Sequence, residues 1–331
     1  MTFKYKNVYV GETATFAGPY EAKGLLKRKF DRITNDLYVG EKSWEKAEIK
    51  LSKESINILL QKIGKQATDI NLIIAGDLLN QLVSSSYAIK DFSFPFLGIY
   101  SACANIMEGV IIAASMIDGG KIDNAIITTS SHNLSSEKQF RNPTEYGAPR
   151  PSTATFTATG GASLYLTNDK TDIKVEASTI GKIVDLGIND PNNMGAAMAP
   201  AAADTIYRHL KDLNRGVSYY DLILTGDLGI YGKKILIDYM NQEYNIDIKN
   251  NYDDCGTMLY NFNNQKEVLA GGSGPVCSAL VIYSSIFEKM KKKELKKILL
   301  VPTGALFSPT IIYQKENILG IAHAVSMEVV E

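Results

Sequence analysis

The sequence contains few of the residues that build metal sites and disulfide frameworks. Its 331 residues include three histidines and three cysteines, Cys103, Cys255 and Cys277. No two cysteines form a C-x-x-C pair and the histidines stand far apart, which excludes the usual spacing of zinc ligands. An odd, sparse number of cysteines also argues against a disulfide framework. We therefore expect no metal and no cofactor.

Strong net charge and long apolar segments are also missing. The net charge is −1 and 21% of the residues are charged, so the composition gives no general affinity for nucleic acid. The N-terminus lacks the apolar stretch of a signal peptide. In the central apolar segment the longest uncharged run is nine residues, Gly109–Ile117, whereas a membrane span needs about 20. We expect no signal peptide and no transmembrane segment, although the chain can still lie on a membrane surface.

The sequence does contain a repeated pattern of strands and helices. Residues 71–78 (NLIIAGDL) match residues 221–228 (DLILTGDL), and each segment follows a predicted helix, over 44–64 and 200–213. Pro200 is placed in the first turn of the second helix, where proline is favoured. Continuous apolar strands that alternate with helices indicate parallel sheets covered on both faces. We expect an α/β fold of two similar halves, residues 1–170 and 171–331, with a site between them where strands end and helices begin.

Cys103 stands where a strand-like segment, residues 94–100, ends and an apolar helix begins at the cysteine or just after it. Free N–H groups and the positive end of the helix dipole favour an anion at such a position. They would lower the pKa of the thiol and make Cys103 a candidate nucleophile. The alternative is that the cysteine packs as a small buried hydrophobe, and the spacing alone leaves both interpretations open.

A long polar segment, residues 130–151, is interrupted by Asn-Pro, Tyr-Gly and Ala-Pro and is predicted to be a loop. It carries the cations Lys138, Arg141 and Arg150. Loops of this length inside a compact domain are usually functional or disordered. We therefore expect the segment to contribute to a site.

Two α/β halves with a cysteine at the start of a central helix resemble the thiolase superfamily, which includes thiolases and ketoacyl synthases. The chain is further similar to the stage V sporulation protein AD family of endospore-forming bacteria. The motifs that carry this resemblance are residues 75–81 (AGDLLNQ), 129–133 (TSSHN), 139–147 (QFRNPTEYG), 198–205 (MAPAAADT) and 308–312 (SPTII). The resemblance implies a thiolase-like fold, in which two duplicated α/β halves pack as a layered αβαβα sandwich.

The resemblance also implies a function. Members of the family bind pyridine-2,6-dicarboxylate (dipicolinic acid), a compound that calcium accompanies in spores. They work with other membrane proteins of the same sporulation operon to move dipicolinic acid into the developing spore, and release during germination is a second candidate step. The implied location is peripheral, at the inner membrane of the forespore. The thiolase-like halves further imply a homodimer formed through an edge strand.

Thiolase-type chemistry would require more than Cys103, because a histidine from the second half serves as base or oxyanion donor. In thiolases it stands in the turn before the second central helix, and in ketoacyl synthases it follows the first strand of the second half. The corresponding residues here, 270–275 (AGGSGP) and 225–228 (TGDL), contain no histidine. We therefore expect a binding protein that is not an enzyme. The alternative is an acyltransferase of the thiolase or ketoacyl synthase type that depends on Cys103.

A small planar dicarboxylate requires cations and convergent hydrogen-bond donors around a flat slot. Arginine suits it best, because its planar guanidinium pairs with a carboxylate through two hydrogen bonds. Arg141 is the first candidate, and Tyr146 is placed to stack on a pyridine ring. The candidate ligand-binding residues are Asp77, Cys103, His132, Arg141, Tyr146, Lys315 and His323. Asp227, at the position equivalent to Asp77, is predicted to cap a turn, and His209 is placed on the solvated face of a helix.

Residues 289–297 (KMKKKELKK) form the one strongly basic run. Lysines at the end of a helix complement its dipole, which makes a solvated helix end the first interpretation. Contact with an anionic membrane surface is the alternative.

Overall fold

A mixed sheet of twelve strands organises the computed structural model, which describes residues 1–140 and 150–330. The strands of the described residues are β1 (Thr2–Lys4), β2 (Tyr9–Ala17), β3 (Arg32–Ile33), β4 (Ile73–Gly76), β5 (Phe96–Gly98), β6 (Asn124–Ser131), β7 (Phe156–Thr157), β8 (Gly160–Thr167), β9 (Ile173–Thr179), β10 (Leu222–Thr225), β11 (Tyr252–Asp254), β12 (Gly272–Ser273), β13 (Lys297–Val301), β14 (Thr303–Leu306), β15 (Leu319–Ala322) and β16 (Ala324–Val329).

The helices cover both faces of this sheet. They are α1 (Trp44–Ile63), α2 (Val83–Ile89), α3 (Asn105–Asp118), α4 (Asn133–Phe140), α5 (Met194–Leu213), α6 (Gly229–Tyr244), α7 (Cys255–Met258), α8 (Pro275–Val281), α9 (Phe287–Lys291) and α10 (Pro309–Tyr313). A π-helical segment, Ile282–Ile286, joins α8 to α9.

Ten of the twelve strands form two sets of five with the same order. One set runs β5-β4-β6-β8-β2 and the other runs β11-β10-β13-β16-β9. In both sets the first two pairings are parallel and the last two are antiparallel. The sets meet where β2 pairs with β9 in antiparallel register, Tyr9 with Lys174 and Val10 with Ile173. The division of the chain at residue 170 stays a prediction.

The prediction of purely parallel sheets was wrong for the inner strands β2, β8, β9 and β16. Along the main strand order each of these strands is antiparallel to both neighbours, and most of their residues are buried. A strand buried on both faces shows a continuous apolar run whichever direction its neighbour has, so the sequence pattern did not distinguish the two cases.

The helices divide into three layers around the two strand sets. Helix α1 packs outside the first set and α5 packs with α6 outside the second. Helices α3 and α8 contact each other, and α3 also contacts β6 of the first set and β16 of the second, so they lie between the sets. The largest apolar cluster of buried residues is centred on these two helices, which explains why α3 is apolar nearly all round.

Helix α1 begins and ends as the sequence predicts. The Ser43 side chain caps its N-terminus by accepting a hydrogen bond from the Lys46 N–H, and Gly64 closes it at a φ of 64°. A left-handed C-cap of this kind favours glycine because it has no Cβ. The prediction of a helix over residues 44–64 is therefore confirmed.

The start predicted for the second-half helix was wrong. Helix α5 begins at Met194, and Pro200 lies inside it and is buried. Six helical residues precede the proline, so it breaks the hydrogen-bond ladder in the interior instead of opening the first turn. The buried, alanine-rich surface on both sides of the proline keeps the helix together across this point.

The long predicted loop is also shorter than expected, because residues 133–140 form α4. Within the described residues, no helix combines the length and the apolar character that crossing a bilayer requires.

Candidate functional site

Cys103 lies in a 3-10 turn, Ala102–Ala104, that connects the end of β5 to α3. Ala102 adopts a φ of 50°, a left-handed conformation that costs a residue other than glycine roughly 1–2 kcal/mol. Strand β14 packs tightly against the turn, since a Cβ on Gly304 would lie 2.2 Å from the Ser101 carbonyl oxygen. The close packing holds the strained turn and places Cys103 on the wall of a cavity.

This cavity has a volume of about 110 Å³ and lies at the end of the sheet where β4, β6 and β10 terminate. Its walls come from several separate parts of both halves of the chain. The lining residues are Leu78, Tyr100, Ala102, Cys103, Ser136, Glu137, Phe140, Arg150, Ala154, Thr155, Thr157, Pro191, Asn192, Met194, Ser273, Ala305 and Phe307. We call it the Cys103 cavity.

Among the described residues, the polar side of the Cys103 cavity combines one cation, one carboxylate and buried hydroxyls. Arg150 donates to Glu137 in an ion pair that is largely shielded from solvent. Ser136 and Thr155 are 3% and 6% exposed, and their hydroxyl groups find no hydrogen-bond partner among the described residues. A buried hydroxyl without a partner costs free energy, so a ligand with suitable acceptors would gain by satisfying both groups.

The opposite walls are apolar. Phe140 and Phe307 meet edge to face, with ring centroids 5.3 Å apart, and Leu78 and Met194 extend this surface. The cavity therefore suits a small ligand that has an apolar ring face and hydrogen-bonding groups at its edge.

The electrostatics around Cys103 disfavour a thiolate, so the prediction of a lowered pKa was wrong. Burial raises the pKa of the Cys103 thiol well above its usual value, and the neighbouring carboxyl of Asp227 raises it further. Burial also raises the pKa of Asp227, to about 7. Cys103 lies inside a 3-10 turn, and α3 begins only at Asn105. The helix terminus therefore does not outweigh burial and a nearby acid.

The two symmetry-related aspartates have different surroundings. Asp227 accepts hydrogen bonds from the Thr303 hydroxyl at 2.8 Å and from the Gly274 N–H at 3.2 Å. These contacts hold it next to Cys103 at the start of α8. Asp227 thus joins three elements around the cysteine, which is more than the turn cap that its sequence position indicated.

Asp77 is buried and is used by its own turn. Its carboxylate accepts hydrogen bonds from the Leu79 N–H at 2.8 Å and from the Ser85 hydroxyl at 2.6 Å. It does not line the Cys103 cavity. A ligand-binding role for Asp77 stays a prediction.

None of the three histidines lines the Cys103 cavity. His132 is buried and bonds the Leu37 carbonyl at 2.8 Å, and His323 accepts from the Gly181 N–H at 3.1 Å. Burial lowers the pKa of His323 to about 4, so its ring is neutral at physiological pH.

His209 is fully buried, and its predicted place on a solvated helix face was wrong. Its ring bonds the Thr179 hydroxyl on one side and the Tyr220 hydroxyl on the other, each at 2.8 Å. The sequence pattern failed here because α5 is covered on more faces than an amphipathic surface helix.

The other predicted ligand-binding residues lie elsewhere. Lys315 is exposed, just after α10, and does not line the cavity. Arg141 and Tyr146 lie outside the described residues. Cys103 is the one predicted residue that the described structure places in the cavity wall, and the binding roles of the others stay predictions.

Sequence reasoning missed Ser136, Thr155 and the aromatic pair, and it ranked Arg150 below Arg141. The available signal was the density of hydroxyl residues around the basic segment, at 130–136 and 152–159. Along residues 1–140 and 150–330 the structure contains no group of three or more His, Cys, Asp or Glu side chains that could hold a metal ion.

Solved structures of other proteins share this architecture. Crystal structures of Xanthomonas campestris OleA superpose on nearly the whole chain. One OleA variant has a TM-score of 0.64 at 13% identity and covers 98% of this chain and 99% of its own. A cerulenin-bound OleA has a TM-score of 0.62 at 15% identity, with 98% of each chain covered. At such low identity the likeness shows the fold alone, and it confirms the predicted thiolase-like layering.

A closer similarity appears in the sequence. A family model described as stage V sporulation protein AD matches residues 1–328. Stage V sporulation protein AD of Bacillus subtilis (strain 168) is 46% identical over 322 residues, which cover 97% of this chain and 94% of the relative. The chain has a thiolase-like fold and belongs to the stage V sporulation protein AD family.

Proposed function

We propose that this chain binds pyridine-2,6-dicarboxylate in the Cys103 cavity and acts in its uptake into the developing spore, with release during germination as a second step. The supporting observation is the composition of the cavity wall. Arg150 supplies a guanidinium, and Ser136 and Thr155 supply buried hydroxyls without partners. Arginine pairs well with carboxylates, hydroxyls can donate to the remaining oxygens, and Phe140 and Phe307 cover the ring.

Glu137 sets a condition on this binding. Its carboxylate shares Arg150 and would repel a dianionic ligand in the same cavity. Two unit charges about 4 Å apart interact by about 4 kcal/mol at an effective dielectric constant of 20. The proposal therefore requires that the attraction of Arg150 and the hydroxyl donors for the ligand exceed the repulsion from Glu137.

The same site is proposed to be catalytically inactive toward acyl groups. Acyl transfer needs a thiolate and a partner group that transfers protons. Proton transfer by such a group typically raises the reaction rate by roughly 10²–10⁴-fold. Here the thiol of Cys103 faces the Asp227 carboxyl, which raises its pKa, and every histidine of the chain is engaged elsewhere. A Cys103-dependent acyltransferase would release coenzyme A from acyl-CoA, and we expect no release above a Cys103→Ala control.

The proposed setting is peripheral, at the inner membrane of the forespore, with membrane proteins of the same operon forming the path across the bilayer. We also propose a homodimer. Strand β5 is the edge of its strand set and is exposed along its length, with Phe96 and Leu97 37% and 43% exposed. An unprotected apolar edge strand is a surface that pairs with a second chain.

The test of ligand binding uses two variants that should change the affinity for the ligand in opposite directions. Arg150→Gln removes the cation and should weaken binding of pyridine-2,6-dicarboxylate at least tenfold, since hydrogen bonds to charged groups contribute about 1.5–3 kcal/mol. Glu137→Gln removes the competing carboxylate and should tighten binding about tenfold, or ~1.4 kcal/mol. Equilibrium dialysis measures both dissociation constants.

Lys138→Gln is the matched control, because Lys138 lies next to Glu137 on α4, is exposed and pairs with Glu45 outside the cavity. This variant should bind pyridine-2,6-dicarboxylate with the same affinity as the unmodified chain. Equal affinities in all three variants, with intact circular dichroism, would contradict the proposed site. Because the two cavity variants shift the affinity in opposite directions, general damage to the fold cannot imitate the expected result.

A further inference from the structure

A groove of about 540 Å³ lies where the central strands β2, β9 and β13 begin and β16 ends, at the opposite strand ends from the Cys103 cavity. Five lysines from separate parts of the chain line it, together with Glu328 and small apolar and aromatic surfaces. We call it the lysine groove, defined by Lys170, Lys174, Lys293, Lys296 and Lys297. The sequence showed the last three in one basic run, and the fold adds the first two from the start of β9.

Among the described residues, the lysine groove carries an excess of positive charge. No ion pair joins any of its five lysines to a described carboxylate. Glu328 is the single acidic residue among the described residues of the lining, and it pairs in the sheet opposite Lys297 and Lys174. By contrast, Lys291 and Lys292 of the same basic run pair with Glu12 and Glu288. The groove therefore gathers five lysines that form no ion pair with a described carboxylate.

Backbone strain marks the same place. Lys293 adopts a φ of 61° in the turn between α9 and β13, where its N–H bonds the Met290 carbonyl at 2.8 Å. Glycine or asparagine takes this conformation with little cost, whereas a lysine pays for its Cβ. Strained residues of this kind cluster at functional positions.

We propose that the lysine groove docks the protein onto the anionic phospholipid headgroups of a bilayer. Lysine is a flexible, strongly hydrated point charge, which suits a diffuse phosphate surface better than a single shaped anion. Clusters of four to eight basic residues are typical of peripheral binding to anionic lipid. The lining residues that the structure describes include no arginine, which points away from a site for one bidentate phosphate ligand.

This docking also sets the orientation of the Cys103 cavity. The groove lies at the start of β13, at Lys297, whereas the far end of β13 leads to Thr303, which bonds Asp227 beside Cys103. Strand β13 has five residues, Lys297–Val301, so its two ends are about 13 Å apart. A protein docked through the groove therefore turns the Cys103 cavity away from the bilayer.

The test is co-sedimentation of the full chain with vesicles, without added dicarboxylate, so its outcome is independent of the proposed ligand. We expect binding to phosphatidylcholine vesicles that contain about 30% phosphatidylglycerol, and none to pure phosphatidylcholine vesicles. Replacing all five groove lysines by glutamine should weaken binding at least a hundredfold. Raising the salt from about 0.05 M to about 0.5 M should also release the protein.

The matched control replaces five exposed lysines outside the groove, Lys27, Lys42, Lys121, Lys249 and Lys266, by glutamine. It has the same net charge as the groove variant and should retain binding. Equal losses in the two variants, or equal binding to neutral vesicles, would overturn the proposal. So would groove-dependent saturable binding of pyrophosphate or of a labelled oligonucleotide by a chain that does not bind anionic vesicles.

Discussion

Glu21 provides a test of the electrostatics because it is fully buried in the central part of the molecule. One carboxylate oxygen accepts hydrogen bonds from the Thr159 N–H at 3.1 Å and from the Tyr260 hydroxyl. The other oxygen is buried and has no hydrogen-bond partner among the described residues. Burial raises the pKa of Glu21 from 4.5 to about 7.

The raised pKa of Glu21 determines how the free energy of unfolding changes with pH. Between pH 4.5 and about 7 the folded protein keeps the Glu21 proton that the unfolded chain has already released. The contribution of protonated Glu21 to the free energy of unfolding is therefore fully present below pH 4.5 and is lost as the pH rises to about 7. At 1.36 kcal/mol per pKa unit, the loss attributable to Glu21 is about 3 kcal/mol.

Glu21→Gln should remove this pH dependence. The amide has nearly the same shape, and its oxygen can keep the bonds from Thr159 and Tyr260, but it does not ionise. We expect the variant and the parent protein to have similar unfolding free energies near pH 4.5, and the variant to be more stable by about 3 kcal/mol above about pH 7. Urea unfolding at several pH values, followed by the fluorescence of the single tryptophan, Trp44, gives both curves.

Glu243→Gln is the control, because it removes an exposed carboxyl near the end of α6. The difference between this variant and the parent should stay nearly constant with pH. If the difference between Glu21→Gln and the parent were equally constant, the account of Glu21 as a buried neutral acid would be refuted.

Three further predictions concern the Cys103 cavity and the edge strand. Asp227→Asn removes the acid that raises the pKa of Cys103, so iodoacetamide should alkylate Cys103 several times faster at pH 8. Peptide mass spectrometry measures this rate, and an unchanged rate would contradict the effect assigned to Asp227. Ser136→Ala with Thr155→Ala should weaken dicarboxylate binding roughly tenfold, at about 0.5–1.5 kcal/mol for each hydrogen bond, without lowering the melting temperature, because neither hydroxyl has a partner to lose in the described structure. Leu97→Lys should shift the protein from dimer to monomer in analytical ultracentrifugation, and a dimer of unchanged affinity would rule out pairing through β5.

The repeated architecture could be predicted from sequence because it depends on local pattern. The matching segments at 71–78 and 221–228 became β4 and β10, which occupy equivalent positions in the two strand sets. Ser43 and Gly64 delimit α1 through capping chemistry that needs no tertiary information. Where a feature depends on residues close together in sequence, the pattern was sufficient.

The candidate site was harder to predict because burial decides its chemistry. Cys103 has the sequence position of an activated nucleophile, but the approach of Asp227 and the depth of burial reverse the expected shift of its pKa. Asp77 and Asp227 have the same local sequence, yet one bonds its own turn and the other lies against the cysteine. Contacts between distant segments separate these cases, and no local pattern records them.

The central claim is that the cavity recognises a ring with carboxylates at both the 2 and 6 positions. Calorimetric titration with pyridine-2,6-dicarboxylate tests it most directly, with pyridine-2-carboxylate and pyridine-3,4-dicarboxylate as controls. We predict saturable binding that requires both carboxylates flanking the ring nitrogen and that is lost in Arg150→Gln. The absence of heat at millimolar ligand, or equal binding of all three compounds, would contradict the account.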